Sequence, residues 1–566
     1  YGYLTTRDGT KLAINVQLPG PASEGPYPTL VEYAGYGYAN PAGPESGIAA
    51  VGNALGYAVV DVNMRGTGCS GGAFDYYETL QGLDGYDIVE TVARQPWVAH
   101  DHVGMMGISY GGISQIYVAA TQPPSLAAIT PLSVIDETST TLAPGGILNT
   151  GFALPWARDR ADDAAPVTAT SGQAWAWKRI QEGDATCKAN QVLHASAVER
   201  LEDIERNRYT TDRIVDPPSP YDLAPQVEVP TYLACQWTDE QTGGHCPTLA
   251  ERFTGTDKAW FTFTNGVHVD SLDPASFNRW YDFLEIYVAK RAPNLPQGTK
   301  DLAPVLFKAF TGVEGVTIPD DPIQGRATLA EAQAAFEALP PVRILFDNGA
   351  GAAPGVPQPG FERSFARWPI PGARNQEWKL ADGSFRWDPK ARTATNFSAD
   401  TGSGDLWTAA PSYRWTQNPE GTALSSVSEP LAQDTTVIGT GEVRLRTAAR
   451  ARTIDLQATV TEVRPDGNES FVQSGWLRAS PGRRVIPLYY QGHVYRAGSR
   501  IRVILSAPGG DQPVWAFADT LPRRGTPQVR VRGATLALPV VPGGAPTPLP
   551  PCPGLRGEPC RPFAPS

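Results

Sequence analysis

The 566 residues exceed one ordinary domain, so two or three are expected, and 41% hydrophobic content with 14 Trp, 21 Tyr and 18 Phe is ample for large cores. Lys plus Arg is 47 and Asp plus Glu is 58, a net of −11, which argues against nucleic acid or an anionic membrane as the main partner. No apolar run approaches the length of a bilayer span.

Residues 3–18 alternate polar and apolar around Asp8-Gly9, a hairpin signal. Residues 29–33 read as a short strand that ends in the aromatic loop Gly35-Tyr36-Gly37-Tyr38. Residues 57–63 read as a buried strand running into a glycine-rich loop, 64–72. A helix is expected over 83–93, closed by Gln95-Pro96-Trp97. Strands follow at 103–108 and 126–130, with a helix at 112–120 between them. Strands alternating with helices imply a parallel, helix-covered sheet. From 136 to 222 the pattern turns helical, with amphipathic stretches at 175–180 and 195–207, and reads as a cap over a site. Strands resume at 230–235 and 259–263, and a helix over 277–290 closes the sheet domain. Beyond 304 only 329–339 reads as helix. Short β-type runs at 342–346, 441–446, 454–463, 500–505 and 529–532 predict an all-β jelly-roll sandwich. The Pro/Gly-rich tail is expected to lie over the surface. There are no internal repeats.

Gly107-Ile108-Ser109-Tyr110-Gly111 sits between a strand and a helix and spells G-x-S-x-G. Such a tight turn presents a strained serine with its hydroxyl exposed. The following helix aims its N-terminal N–H groups at any anion formed on the substrate. The bland alternative is a glycine-rich turn in an α/β protein.

A serine hydroxyl needs a base, and histidine has the suitable pKa. In a doubly wound hydrolase the acid and then the histidine follow the serine. His100 and His102 precede it, at the wrong end of its strand. His493 falls in the β region and His194 in the helical insert. His268 follows a strand and a glycine loop, at the carboxyl edge where sites in open α/β folds lie; His245 is the fallback. Asp239, in the loop after the preceding strand, is the candidate acid, with Glu240 as the alternative. Asp257, Asp270 and Asp273 read as solvated loop carboxylates.

The six cysteines form no C-x-x-C pair, and the nearby histidines lack zinc spacing, so no metal is expected. Their even number suits disulfides and a secreted or periplasmic protein. Cys69 and Cys187 are candidates to tie the cap to the sheet domain. Cys235 and Cys246 bracket Asp239, and a link there is expected to fix the acid, so that mild reduction removes activity before unfolding. A bond from that pair across to Cys187 is the alternative. Cys552 and Cys560 complete the candidate set. The chain begins at Tyr1 without a signal-peptide pattern; a leader removed in maturation, or trimmed away, is expected.

Asp8-Gly9-Thr10, the run Asp61 to Gly72, Gln95-Pro96-Trp97, Gly107 to Gly112, Ser219-Pro220-Tyr221-Asp222 and Ser474-Gly475-Trp476 stand in an order that resembles a known family. It is the X-Pro dipeptidyl-peptidase-like serine hydrolases, which include cocaine esterase and the α-amino-acid ester hydrolases. The resemblance implies three parts, an α/β-hydrolase domain, a helical cap and a C-terminal jelly roll, which the pattern along the chain places at 1–135 with 223–300, at 136–222 and at 301–545, ahead of the tail at 546–566. It also implies an oxyanion hole of the Tyr36 hydroxyl and the Tyr110 backbone N–H. The amino-acid ester hydrolases bind the substrate amine through carboxylates two and three residues beyond the acid. Gln241 and Thr242 stand there in this chain, and Gly35 replaces a usual proline.

The leading expectation is a cofactor-free serine hydrolase acting on a small ester, amide or short peptide through an acyl-enzyme. An X-Pro dipeptidyl peptidase or an acylase would use the same triad with a different pocket. A protein of another class would bind carbohydrate through the jelly roll beside an inert hydrolase domain. No nucleic-acid or membrane partner is expected, and the sequence is silent on oligomeric state.

Overall fold

The computed structural model describes all residues except 44–46, 76, 196, 210–217, 312, 392–393, 398–412, 510–514 and 566. Parts of the expected cap and of the expected β domain therefore lie outside the described residues.

The apolar runs up to Phe365 assemble into one ten-stranded sheet. Its strands are β1 (Gly2–Thr5), β2 (Lys11–Gln17), β3 (Thr29–Ala34), β4 (Ala58–Asn63), β5 (Val103–Ile108), β6 (Leu126–Leu132), β7 (Thr231–Gln236), β8 (Ala259–Thr264), β9 (Val342–Phe346) and β10 (Phe361–Phe365). Their order is β1-β2-β4-β3-β5-β6-β7-β8-β9-β10. β3 to β9 pair in parallel, and antiparallel pairing is confined to β1–β2, β2–β4 and β9–β10. The central strands β3, β4, β5 and β7 are buried along their whole length, which is why they read as near-continuous apolar runs.

Helices Thr79–Ala93 and Tyr110–Ala119 cover one face, packing Ile88, Val89, Ile113 and Ile116 into one core. Gly47–Ala54, Pro274–Tyr287 and Leu329–Glu337 cover the other, around Ile48, Trp280, Phe283 and Phe336. Between β6 and β7 lie helices Ala153–Asp163, Ala174–Gln181, Ala185–Asn190 and Ala197–Arg206.

The C-terminal part is a sandwich of antiparallel sheets. One joins Arg374–Lys379, Gln528–Val541, Thr435–Ala448 and Arg483–Tyr495, with Gly383–Arg386 also on Gln528–Val541. The other joins Ala423–Val427, Arg500–Ser506, Ile454–Val463, Asn468–Ala479 and Cys560–Pro562. Val443, Leu456, Val460, Val503 and Leu536 fill the space between them.

Three features differ from the sequence reading. The run 342–346, expected in the β sandwich, is β9 and pairs with β8 in the hydrolase sheet; a short apolar strand carries no mark of which sheet it joins. Gln297–Thr311 is a helix with Pro304 inside it, against the expectation that beyond 304 only 329–339 is helical. The tail does not simply lie over the surface. Its Cys560–Pro562 strand extends the second sheet, and Arg556, Glu558 and Arg561 are buried.

Three disulfides close: Cys69–Cys187, Cys235–Cys246 and Cys552–Cys560. Among the described residues no helix is long and apolar enough to cross a membrane.

Candidate active site

β5 ends in the turn that carries Ser109. Its backbone sits at φ 60°, ψ −124°, the strained left-handed region that a nucleophile turn demands. Gly107 is required by a close approach: a Cβ there would fall 2.6 Å from the carbonyl of Gly111. The Ser109 N–H donates to the Leu132 carbonyl at 2.9 Å, holding the turn to the end of β6. Helix Tyr110–Ala119 starts at the next residue, so the Tyr110 N–H lies in its first turn, where no intrahelical acceptor exists.

β7 and β8 deliver Asp239 and His268, the candidate acid and base, from the same carboxyl edge. His268 is wholly buried and its Nδ1 lies 2.7 Å from Asp239 Oδ2. Its Nε2 is buried and bonded to no group among the described residues. The ring is left with one nitrogen committed to a carboxylate and one available for proton transfer. Burial pushes its pKa down, but the charge of Asp239 and the hydrogen bond to it outweigh that, and the net shift is upward from 6.5.

Asp239 is held on both oxygens. Oδ1 accepts from the N–H groups of Gln241 and Thr242 at 2.7 and 2.9 Å, and Oδ2 accepts from the Thr242 hydroxyl at 2.7 Å. Glu240 takes a different part: its Oε2 accepts from the His268 N–H at 2.8 Å. Burial, and then the neighbouring Asp239 charge, push the Glu240 pKa up to about 7. His245 is not in this group; its Nδ1 lies 2.5 Å from Asp136. Asp257 is exposed, whereas Asp270 and Asp273, which read as solvated loop carboxylates, are buried at about 1% exposure and accept backbone bonds from Val267 and Ser276. Sequence reading had no means of seeing that the loop after β8 folds inward.

Ser109 opens into a pocket lined by Tyr77, Ile113, Leu142, Trp156, Ile204 and Thr242, among others. Its lining is mostly apolar, with the hydroxyls of Thr138, Thr141 and Thr242, and among the described residues it includes no carboxylate. Tyr36 stands beside it, with its ring 6.0 Å from that of Tyr110, and its hydroxyl accepts from Trp156 Nε1 at 3.2 Å. The phenol proton is left to donate elsewhere. Arg160 lies 4.5 Å above the Tyr36 ring. Among the described residues no group of His, Cys, Asp and Glu could hold a metal ion.

Two family models match the chain in tandem. The X-Pro dipeptidyl-peptidase (S15 family) model matches residues 8–270, and the X-Pro dipeptidyl-peptidase C-terminal non-catalytic domain matches 334–517. The chain belongs to this family of serine hydrolases. Similar to it are two proteins named as serine esterases, from Mycobacterium bovis and Mycobacterium tuberculosis. Each is 33% identical over 176 residues, 28% of this chain and 28% of the relative's own length. Solved structures share the fold. A CocE/NonD family hydrolase from Staphylococcus aureus has a TM-score of 0.65 at 16% identity, over 96% of this chain and 93% of that one. An aminopeptidase from the marine sediment archaeon Thaumarchaeota archaeon has a TM-score of 0.66 at 15% identity, over 96% and 97%. An α-amino acid ester hydrolase has 0.65 at 15%, over 95% and 96%.

Within this S15-type site, Thr242 and Trp156 are contributors that sequence reasoning missed. Thr242 is brought to the carboxylate by an Asx turn, in which Asp239 accepts the N–H two residues on, from Gln241. Trp156 had no legible signal, because its contact with Tyr36 spans 120 residues.

Proposed function

We propose that the protein is a carboxylic-ester hydrolase working through an acyl-enzyme on Ser109, with His268 as base, Asp239 as orienting acid, and Tyr36 and Tyr110 as oxyanion donors. The observation that carries this reading is the strained Ser109 turn at the same sheet edge as a buried histidine with one nitrogen on Asp239 and the other unbonded.

The steps follow from those groups. Ser109 Oγ attacks the carbonyl carbon as His268 Nε2 takes its proton. Negative charge moves to the carbonyl oxygen, which receives the Tyr110 N–H and the Tyr36 O–H. The C–O bond to the leaving group breaks, and His268 returns the proton to the departing alcohol. Water then attacks the acyl-serine with His268 again as base, releasing the acid and restoring Ser109. Asp239 keeps the ring in the tautomer with Nδ1 protonated and stabilises the imidazolium.

The apolar pocket favours an uncharged, hydrocarbon acyl group. An α-ammonium substrate would meet no carboxylate among the described residues of that pocket, and Gln241 and Thr242 are committed to the Asp239 turn. An ester is therefore preferred over an X-Pro dipeptide or an amino-acyl ester. The three disulfides support an oxidising compartment, hence a secreted or periplasmic protein. The test is a panel of p-nitrophenyl esters beside Ala-Pro-p-nitroanilide, with fluorophosphonate labelling mapped by mass. Labelling on Ser109 with turnover of butyryl or longer esters supports the reading. No labelling would favour the inert, carbohydrate-binding alternative, and faster turnover of the anilide would make the protein a peptidase.

A further inference from the structure

We infer that the disulfide-closed C-terminal loop, residues 552–560, is part of the catalytic apparatus, and that Arg556 is a positioning residue for His268. The inference rests on the assignment of Asp239 and His268 above. The tail lies beyond both matched family regions, the second of which ends at residue 517.

Arg556 is buried and forms a two-pronged pair with Asp270, Nε to Oδ2 at 2.7 Å and Nη2 to Oδ1 at 2.7 Å. Asp270 lies two residues after His268, and the same Oδ2 accepts the Val267 N–H at 3.0 Å. The backbone of Arg556 is engaged as well. Its N–H donates to the Asn348 carbonyl at 2.9 Å, and its carbonyl accepts from Asn265 Nδ2 at 3.0 Å. Nη1 reaches the Gly355 carbonyl at 3.1 Å. The tail thus holds the loop after β8 on both sides of the histidine.

The next residue touches the acid loop. Gly557 sits at φ +71°, and a Cβ there would lie 2.4 Å from Thr238 Oγ1 and 2.7 Å from the Gly266 carbonyl. Thr238 precedes Asp239, and its hydroxyl both donates to the Gly266 carbonyl at 2.9 Å and accepts the Gly266 N–H at 2.8 Å. One turn of the tail is therefore packed against the clasp that joins the two catalytic loops. Cys552–Cys560 closes this turn at its base, and the Cys560–Pro562 strand anchors it to Asn468–Ala479. Arg561 adds a bond to the buried Glu469 at 2.9 Å.

Removing the guanidinium leaves the Asp270 carboxylate buried without its cation. The loop must then shift to rehydrate it, and a fraction of an ångström at His268 is enough to lose the proton-transfer geometry.

The experiment measures kcat, KM and thermal melting of the full chain on a p-nitrophenyl ester for Arg556→Met, Arg556→Lys and His268→Ala. Arg556→Met is expected to lower kcat about 10- to 100-fold with KM within about twofold, and Arg556→Lys to recover part of the loss. A folded Arg556→Met protein with wild-type kcat overturns the inference. If Arg556→Met does not fold, Gly557→Ala decides. A fall in kcat with a preserved melting profile supports the role, and unchanged kcat overturns it. His268→Ala separates the two readings. Retained turnover there sinks the triad itself, whereas an inactive His268→Ala beside a fully active Arg556→Met sinks only the role of the tail.

Discussion

The two walls of the site are built on opposite principles. The front wall, around Ile113, Leu142, Trp156 and Ile204, comes from the helix after the nucleophile and from short cap helices, and presents hydrocarbon. The back wall, around Asp239, Glu240, Thr242, Asp270 and Arg556, comes from loops at the sheet edge and from the tail, and it is almost entirely polar. Apolar contacts are non-directional, so a front wall can be repacked at modest cost. A network of buried polar groups tolerates no missing member, because each orphaned group carries its full desolvation cost. On the proposed mechanism the difference divides selectivity from rate: the front wall would set which acyl group fits, and the back wall where the proton goes.

The largest effects should come from the reacting groups themselves. Ser109→Ala and His268→Ala are each expected to lower kcat on the order of 10⁴-fold or more, measured on a p-nitrophenyl ester. Wild-type turnover by Ser109→Ala would end the comparison, since neither wall would then surround a reaction. Tyr36→Phe is the next largest. It keeps the ring against Tyr110 and deletes the donor, for a loss of about 10²–10³-fold in kcat with KM nearly unchanged. A Phe variant at full kcat would remove Tyr36 from the oxyanion hole.

One substitution on each wall tests the contrast directly. Thr242→Val removes the hydroxyl on Asp239 Oδ2 and keeps the shape. It should lower kcat about tenfold and leave acyl-chain preference alone, since one charge-assisted hydrogen bond is at stake. Leu142→Ala should do the reverse. It enlarges the pocket and should move the preference toward longer acyl chains by about tenfold in kcat/KM, at similar kcat on the best ester. If both variants changed chain preference, the two walls would not be separate in function.

The pH profile sharpens the back wall alone. On the proposed mechanism only neutral His268 accepts the serine proton, and its pKa is raised from 6.5 because the charge of Asp239 outweighs burial. Activity is therefore present at high pH and lost as pH falls through that raised value, so the acid limb of kcat/KM should have its midpoint above 6.5. Glu240, pushed up to about 7 by burial and by the Asp239 charge, accepts the backbone N–H of the same histidine. Asp239→Asn removes the outweighing charge and leaves the burial, so the midpoint should move down. A midpoint that stays in place would show that another group governs the limb.

The two walls were also unequally legible in sequence. Ser109 is announced by its pentapeptide, and Asp239 and His268 by their places after consecutive strands, because an open α/β sheet puts its chemistry at one edge. Tyr36 came only through family resemblance. Arg556 was hidden. It lies 286 residues from its partner, inside a Pro/Gly-rich stretch whose composition matches a linker. The signal available was the Cys552–Cys560 pair, since two cysteines eight residues apart argue for a folded turn rather than a strap. Asp270 misled for a related reason: composition says nothing of what a later segment will cover.

The smallest effect should come from the disulfide that brackets Asp239. Cys235–Cys246 spans 11 residues around Asp239, in a stretch with Gly243-Gly244 and few apolar residues. In the structure the loop is buried and gripped from outside. Gln473 Nε2 donates to the Trp237 carbonyl at 2.8 Å, Trp515 Nε1 to the Glu240 carbonyl at 3.0 Å, and the Tyr490 N–H to the Gly244 carbonyl at 3.0 Å. The Thr141 hydroxyl adds a bond to the Thr242 carbonyl at 2.6 Å. With so many anchors, Asp239 is expected to keep its direction without the cross-link. The disulfide acts mainly on the unfolded chain, where closing such a loop is worth roughly 3 kcal/mol in the simplest entropy model. The double variant Cys235→Ala, Cys246→Ala should therefore melt earlier yet keep kcat within about threefold at temperatures where it stays folded. A large loss of kcat in the folded double variant would restore the disulfide as the holder of the acid. It would also mean that the grip of the β sandwich on the back wall is weaker than its hydrogen bonds imply.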